Sequence, residues 1–225
     1  MTDNERPEPT GAVQHRRPWR IVLAGAALAL LVAGGLLLAV GLGEQQPAPP
    51  RLAAPSSTSV SEPPTPAASA AASPAVLPAS VPVRLTIPAI GVSTSLEHLG
   101  LGTGQVLQPP KDPGKAGWFR LGPTPGARGP AVLAGHVTWN QRKAVFFRLA
   151  ELKPGQGIEV SRQDGRTARF TVTKVAQYVK TDFPSIDVYR NLDYAGLRLI
   201  TCGGAYSTAH HRYSDNVVVY ARLSS

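Results

Sequence analysis

The chemistry available to this chain centres on its single cysteine, Cys202. Cys202 ends the run Leu197-Arg198-Leu199-Ile200-Thr201 and is followed at once by Gly203-Gly204. An ordinary thiol has a pKa of about 8.5, so it needs a partner before it becomes a useful nucleophile at neutral pH. His136 is the first candidate for the base. It closes the apolar run Ala131-Val132-Leu133-Ala134-Gly135 and opens the polar stretch Val137-Thr138-Trp139-Asn140, where side chains leave a core and enter a cleft. His210 and His211, shortly after Cys202 in a polar segment, compete for that role, whereas His98 and His15 have no comparable context. Thiolate attack on an amide carbonyl builds an oxyanion, which positive hydrogen-bond donors stabilise. Arg212 is the candidate donor, with Arg222 and Asn216 as alternatives. Each residue also has a plainer reading: a buried small hydrophobe for Cys202, a turn residue for His136, a solvated charge for Arg212.

These residues must be positioned by strands. From Val83 onward there is no sustained 3.6-residue apolar period, only short β-branched and aromatic runs cut by Gly and Pro. The expected strands are Val83–Ile87, Ala131–Val137, Ala144–Leu149, Gly157–Ser161, Ala168–Val179, Leu197–Thr201 and Asn216–Arg222, with one short helix over Asp187–Tyr194. Gly155, Gly157, Gly165 and Gly196 are read as turn positions between them. So many short strands in one domain of this size predict an all-β, closed or nearly closed barrel rather than a βαβ sheet.

The composition assigns this barrel to only part of the chain. Of 22 prolines, ten fall between Pro47 and Pro82. Residues 83–225 carry 18 Lys+Arg against 9 Asp+Glu, which accounts for the whole formal charge of +9. Residues 1–20 read as a cytoplasmic tail. Residues 21–42 (IVLAGAALALLVAGGLLLAVGL) hold no charge, and as a helix would span about 33 Å, enough for a hydrocarbon core of about 30 Å. Arg16, Arg17 and Arg20 precede this segment and the next basic residue is Arg51, so the N-terminus is expected inside and the rest outside. A cleaved signal peptide is the rival, but its apolar region would exceed the usual length. Residues 43–82 are a Pro/Ala/Ser-rich linker expected to act as a semi-rigid extracellular spacer, and 83–225 the catalytic domain. One cysteine excludes a disulfide scaffold, a single apolar segment excludes a polytopic transporter, and dispersed basic residues beyond a membrane argue against nucleic acid.

The residues around Cys202 resemble those of sortases. The family's Thr-Leu-x-Thr-Cys signature stands here as Arg198-Leu199-Ile200-Thr201-Cys202. Thr201-Cys202-Gly203-Gly204, Ala134-Gly135-His136-Val137 and Asp215-Asn216-Val217-Val218-Val219-Tyr220-Ala221 are similar to class F sortases of actinobacteria. The resemblance runs from about Val83 to the end and departs from the signature at Arg198. It implies an eight-stranded barrel with short helices, and a membrane-anchored cysteine transpeptidase acting on an LPXTG-like sorting signal. Cys202 would attack the Thr–Gly bond, His136 would act as general acid and base, and Arg212 would hold the signal and the oxyanion. The acceptor would be an amine of a peptidoglycan precursor and the enzyme a monomer. No cofactor and no metal are expected, because Glu97, Glu151 and Glu159 are scattered. Two other functions are the alternatives. An L,D-transpeptidase would place its His close before its Cys, which this sequence does not, and a non-catalytic wall-binding module would keep Cys202 merely buried.

Overall fold

Alternation gives Leu197–Cys202 two unlike faces, because successive side chains of a strand point to opposite sides. In the computed structural model, which describes Gln46–Leu52 and Val76–Ser225, Leu197 and Leu199 enter the main core while Ile200 joins a second cluster on the other side of the sheet. Among the described residues there are ten strands: β1 (Pro82–Ile87), β2 (Val92–Leu99), β3 (Ala116–Phe119), β4 (Gly129–Gly135), β5 (Thr138–Trp139), β6 (Arg142–Lys143), β7 (Gly157–Arg162), β8 (Thr167–Val179), β9 (Ala195–Ser207) and β10 (Arg212–Leu223). Eight of them close a barrel in the order β1-β2-β3-β4-β9-β10-β8-β7, with β7 pairing back on β1. The pairs β2–β3 and β4–β9 are parallel and the other barrel pairs antiparallel. The expected all-β closed barrel is therefore present.

The barrel is filled by Leu85, Ile87, Leu133, Phe146, Ile158, Phe170 and their neighbours, all essentially inaccessible. Each such side chain contributes about 1.5–3 kcal/mol by leaving water. A smaller cluster lies outside the sheet, where Val188 of the short helix α1 (Ser185–Tyr189) covers Val132, Ile200 and Val218. Arg198, the departure from the signature, is buried on this outer face with its guanidinium 4.5 Å from the Tyr220 ring centre. Burial there lowers its pKa from the ordinary guanidinium value.

Some local expectations change. Ala144–Leu149 is not a strand but a series of turns: Val145 N donates to the Pro113 carbonyl and Phe146 N to that of His136, while Phe146 plugs the barrel. Its apolar residues form a stopper, so they need no alternation. The short helix starts and ends earlier than expected, at Ser185–Tyr189. Gly196 lies inside β9 rather than in a turn; a Cβ there would stand 2.6 Å from Leu192 Cδ1. Strands β2 and β3 and the β5–β6 hairpin are additional. That hairpin turns through Asn140 and Gln141, both at positive φ, as a tight two-residue turn requires.

Two stretches of the expected linker lie among the described residues. Leu52, Leu77 and Val81 pack against the barrel core, and Leu77 N donates to the Gly126 carbonyl over 2.8 Å. The expected cytoplasmic tail and the apolar segment 21–42 lie outside the described residues. Among the described residues no helix is long and apolar enough to cross a membrane.

Candidate active site

The register of four neighbouring strands determines which side chains meet. In the parallel β4–β9 pair Ala134 stands beside Ile200, two residues before Cys202; His136 follows directly after β4 and lines the same two cavities as Cys202. In the antiparallel β9–β10 pair Asn216 is directly opposite Cys202. In the next pair Tyr178 of β8 is opposite Asn216. Cys202, Asn216 and Tyr178 therefore point to the outer face of the barrel, on the same side as Ile200 and Val218.

Local sequence fixes the positions further. Thr201 donates its buried hydroxyl proton to the Gly135 carbonyl over 2.8 Å, clamping the end of β4 to β9 one residue before both His136 and Cys202. Gly135 must be small, since a Cβ would come within 2.7 Å of the Phe146 ring. Gly204 has φ +77, and a Cβ there would lie 2.6 Å from the Asp215 carboxylate; this left-handed residue faces the bulge between Tyr213 and Asp215. The Gly-Gly after the cysteine thus lets β9 bend away just past the thiol.

Cys202 is half-buried and opens on two cavities, so it is not a sealed core residue. One, of about 420 Å³, is lined on its far side by polar and aromatic groups, among them Thr138, Trp139, Tyr206, His211 and Arg212. The other, of about 640 Å³, is lined by Val106, Leu107, Pro109, Phe183, Tyr189 and Ile200. His136, Lys180 and Cys202 form the shared boundary. Lys180, in the turn that follows β8, directs Nζ to 3.4 Å from Cys202 Sγ.

His136 is half-buried, its ring tilted by 58° against Trp139 at 4.9 Å, and its Nε2–H donates to the Pro110 carbonyl over 2.9 Å. That bond fixes the ring and leaves the lone pair on Nδ1. The Pro110 loop is in turn held by Glu97, whose carboxylate accepts from Lys111 N over 2.9 Å and Asp112 N over 3.1 Å. The strap Gln46–Leu52 reaches the polar cavity: Gln46 bonds Thr138 and the Tyr213 hydroxyl donates to the Pro47 carbonyl over 3.5 Å.

Of the residues expected at the site, Cys202, His136, Arg212 and Asn216 line one or both of these cavities. Arg212 is exposed at the first position of β10 and lines the polar cavity. Arg222 is not part of the site, because it pairs with Gly196 near the other end of β9 and lies over the Tyr194 ring at 4.2 Å. His211 lines the polar cavity from the hairpin turn, His210 stands in the same turn outside both cavities, and His98 sits on β2 against Trp118. Lys180 and Glu97 were not foreseen. The one sequence signal for Lys180 was its position at the end of the alternating run Ala168–Val179. Among the described residues no three His, Cys, Asp or Glu side chains gather as a metal site would require.

A closed barrel that sets an open thiol beside an imidazole, with two cations at the same end, has the layout of a cysteine acyltransferase. Residues 85–224 match the sortase domain family, and the chain belongs to it. Sortases are cysteine transpeptidases. No curated protein sequence matches the chain. Among solved structures, the lid mutant of sortase A from Corynebacterium diphtheriae superposes with a TM-score of 0.50 at 19% identity, covering 64% of this chain and 70% of that one. Sortase C-1 from Actinomyces oris gives 0.48 at 21%, covering 64% and 73%. Sortase A from Listeria monocytogenes gives 0.47 at 22%, covering 66% and 89%. At these identities the likeness concerns the fold.

Proposed function

We propose that this chain is a membrane-anchored, class F-like sortase that cleaves an LPXTG-like signal and joins the released carboxyl end to a cell-wall amine. The observation that carries this reading is that Cys202 and His136 of a sortase-family barrel line the same two unlike cavities. The Cys202 thiol passes its proton to His136 Nδ1, and its sulfur attacks the Thr carbonyl carbon to form the C–S bond. As the tetrahedral adduct collapses, the C–N bond breaks and the leaving Gly amine takes a proton from His136 Nδ1. The thioester is then attacked by the acceptor amine, whose proton returns to His136. Arg212, from the polar side, holds the signal and the developing oxyanion.

The two cavities support a division of labour. Leucine and proline of a sorting signal gain by leaving water, which suits the wall of Val106, Leu107, Phe183 and Ile200. An amine acceptor is hydrated and carries sugar or peptide groups, which suits Thr138, Asn140 and Tyr206. Residues 21–42 anchor the enzyme in the cell membrane with the barrel outside, and residues 43–82 hold it within the wall. The test uses the full chain with a fluorogenic LPXTG-type peptide and an amine acceptor. Cleavage and ligation that stop on thiol alkylation are expected; no turnover across a panel of signal variants would overturn the reading.

A further inference from the structure

The outer-face stripe does not end with Asn216 and Tyr178. Alternation along β8 puts Lys174, Ala176 and Tyr178 on that face, and the next residue of the same parity is Lys180, at the first position of the turn. Its stem is half-buried and its ammonium lies 3.4 Å from Cys202 Sγ, within the range of a charge-assisted hydrogen bond to sulfur. It also lines both cavities, so the nitrogen stands at the point where they meet. The other cation of the site, Arg212, is exposed and belongs to the polar cavity alone.

We infer that Lys180 is the cationic partner of the Cys202 sulfur: it holds the attacking thiolate before the C–S bond forms and receives it again when the thioester is resolved. The inference rests on Cys202 being the sortase nucleophile. An ammonium suits this task because it is a compact point charge with three donors, and it can follow the sulfur through the small displacement that bond formation needs. A hydrogen bond to a thiolate lost on acylation is regained on deacylation, so the same group acts at both ends of the cycle. His136 then need not remain protonated merely to stabilise the sulfur, and its proton is kept for the amine.

Other charged groups near the sulfur come from every neighbouring element. His136, His211 and Arg212 line its cavities, while Asp182 stands in the turn of Lys180 and Asp215 on β10 pairs with Gly203. Asp215 is engaged by the Gln177 side chain. Lys180 is the group that donates to the thiol sulfur over 3.4 Å.

Because the chain has one cysteine, alkylation of the full-length protein reports on Cys202 alone. The experiment measures the iodoacetamide rate from pH 5 to pH 10 for wild type, Lys180→Met, Lys180→Gln and Lys180→Arg, with circular dichroism to check the barrel. In both neutral variants the alkylation rate at pH 7 is expected to fall about tenfold below that of wild type. Lys180→Arg is expected to restore most of it. Unchanged alkylation profiles in folded Lys180→Met and Lys180→Gln would overturn the inference. Loss of alkylation without rescue by Arg would do the same, by showing a packing role. Alkylation needs no sorting signal, so a chain that shifts its profile yet cleaves no signal peptide would retain the Lys180 pairing and lose the sortase reading.

Discussion

The two sides of Cys202 are built from different chemistry. On one side Val106, Leu107, Pro109, Phe183, Tyr189 and Ile200 form an apolar wall; on the other, Thr138, Asn140, Tyr206, His211 and Arg212 form a polar one. The difference follows from topology. The apolar wall is assembled from the β2–β3 connection and from α1, which already bury Val188 and Leu107 on the outer cluster. The polar wall comes from the β5–β6 hairpin and the β9–β10 turn, which extend beyond the barrel and have little core to cover. A reaction with two substrates can use this contrast: desolvation binds the first, while the second approaches through water and displaces only the leaving group. The contrast also predicts that damage to the centre, or to Arg212 as oxyanion donor of both steps, disables both half-reactions, and damage to the rest of either wall only one.

Removing the centre gives the largest effect. Cys202→Ala should lower signal cleavage and ligation together by about 10³-fold or more, as loss of a covalent nucleophile does. Peptide cleavage and intact-mass detection of the acyl-enzyme check both. Activity that survived would assign the nucleophile elsewhere. Next in size is Arg212→Ala, expected to cost about 10²-fold, in the range of a lost oxyanion donor. Full activity in that variant would move the donor role to Asn216, which stands opposite Cys202.

How much of this contrast was legible in the sequence can be judged from individual residues. Cys202 and His136 stand out in the sequence because each ends an apolar run, and parallel pairing of β4 with β9 brings the ends of those two runs, far apart in sequence, to the same cavities. The barrel itself was readable from β-branched runs. Leu96, Glu97 and His98 mix polar and apolar residues too closely for β2 to stand out, and Ala116–Phe119 is too short to show a period. Phe146 misled in the opposite direction, since a plug residue carries the same apolar signal as a strand. Lys180 and Glu97 were not legible as site residues. Their roles arise from strand pairing and from a loop that folds back, and neither leaves a local pattern. Arg212 is the sequence's candidate donor and Arg222 its alternative, and the length of β10 sets the two at opposite ends of the strand.

The apolar wall can be tested without disturbing the core, because Val106 lines that cavity yet is 60% exposed. Val106→Asp should raise KM for the signal peptide about tenfold, the equivalent of about 1.4 kcal/mol of lost apolar contact. The dependence on amine concentration should stay as in wild type. Equal changes in both would mean that the cavities do not divide the substrates, and steady-state kinetics with each substrate varied in turn decides between these outcomes.

The smallest predicted effect probes the boundary between the walls. His136 touches both cavities, and its ring is held by the Pro110 carbonyl, whose loop is tied down by the Glu97 carboxylate through two backbone N–H groups. Hydrogen bonds to a charged acceptor contribute about 1.5–3 kcal/mol each, so weakening them should loosen the loop without unfolding a barrel whose core is elsewhere. Glu97→Gln keeps one carbonyl oxygen as acceptor and is expected to lower kcat about threefold; Glu97→Ala keeps none and should lower it about tenfold. In both, KM for the signal peptide should hold, because Glu97 lines neither cavity. A graded fall in kcat alone marks Glu97 as a positioning residue acting through Pro110 on His136. If KM rose instead, the loop would serve the apolar wall rather than the imidazole, and the boundary would belong to one side.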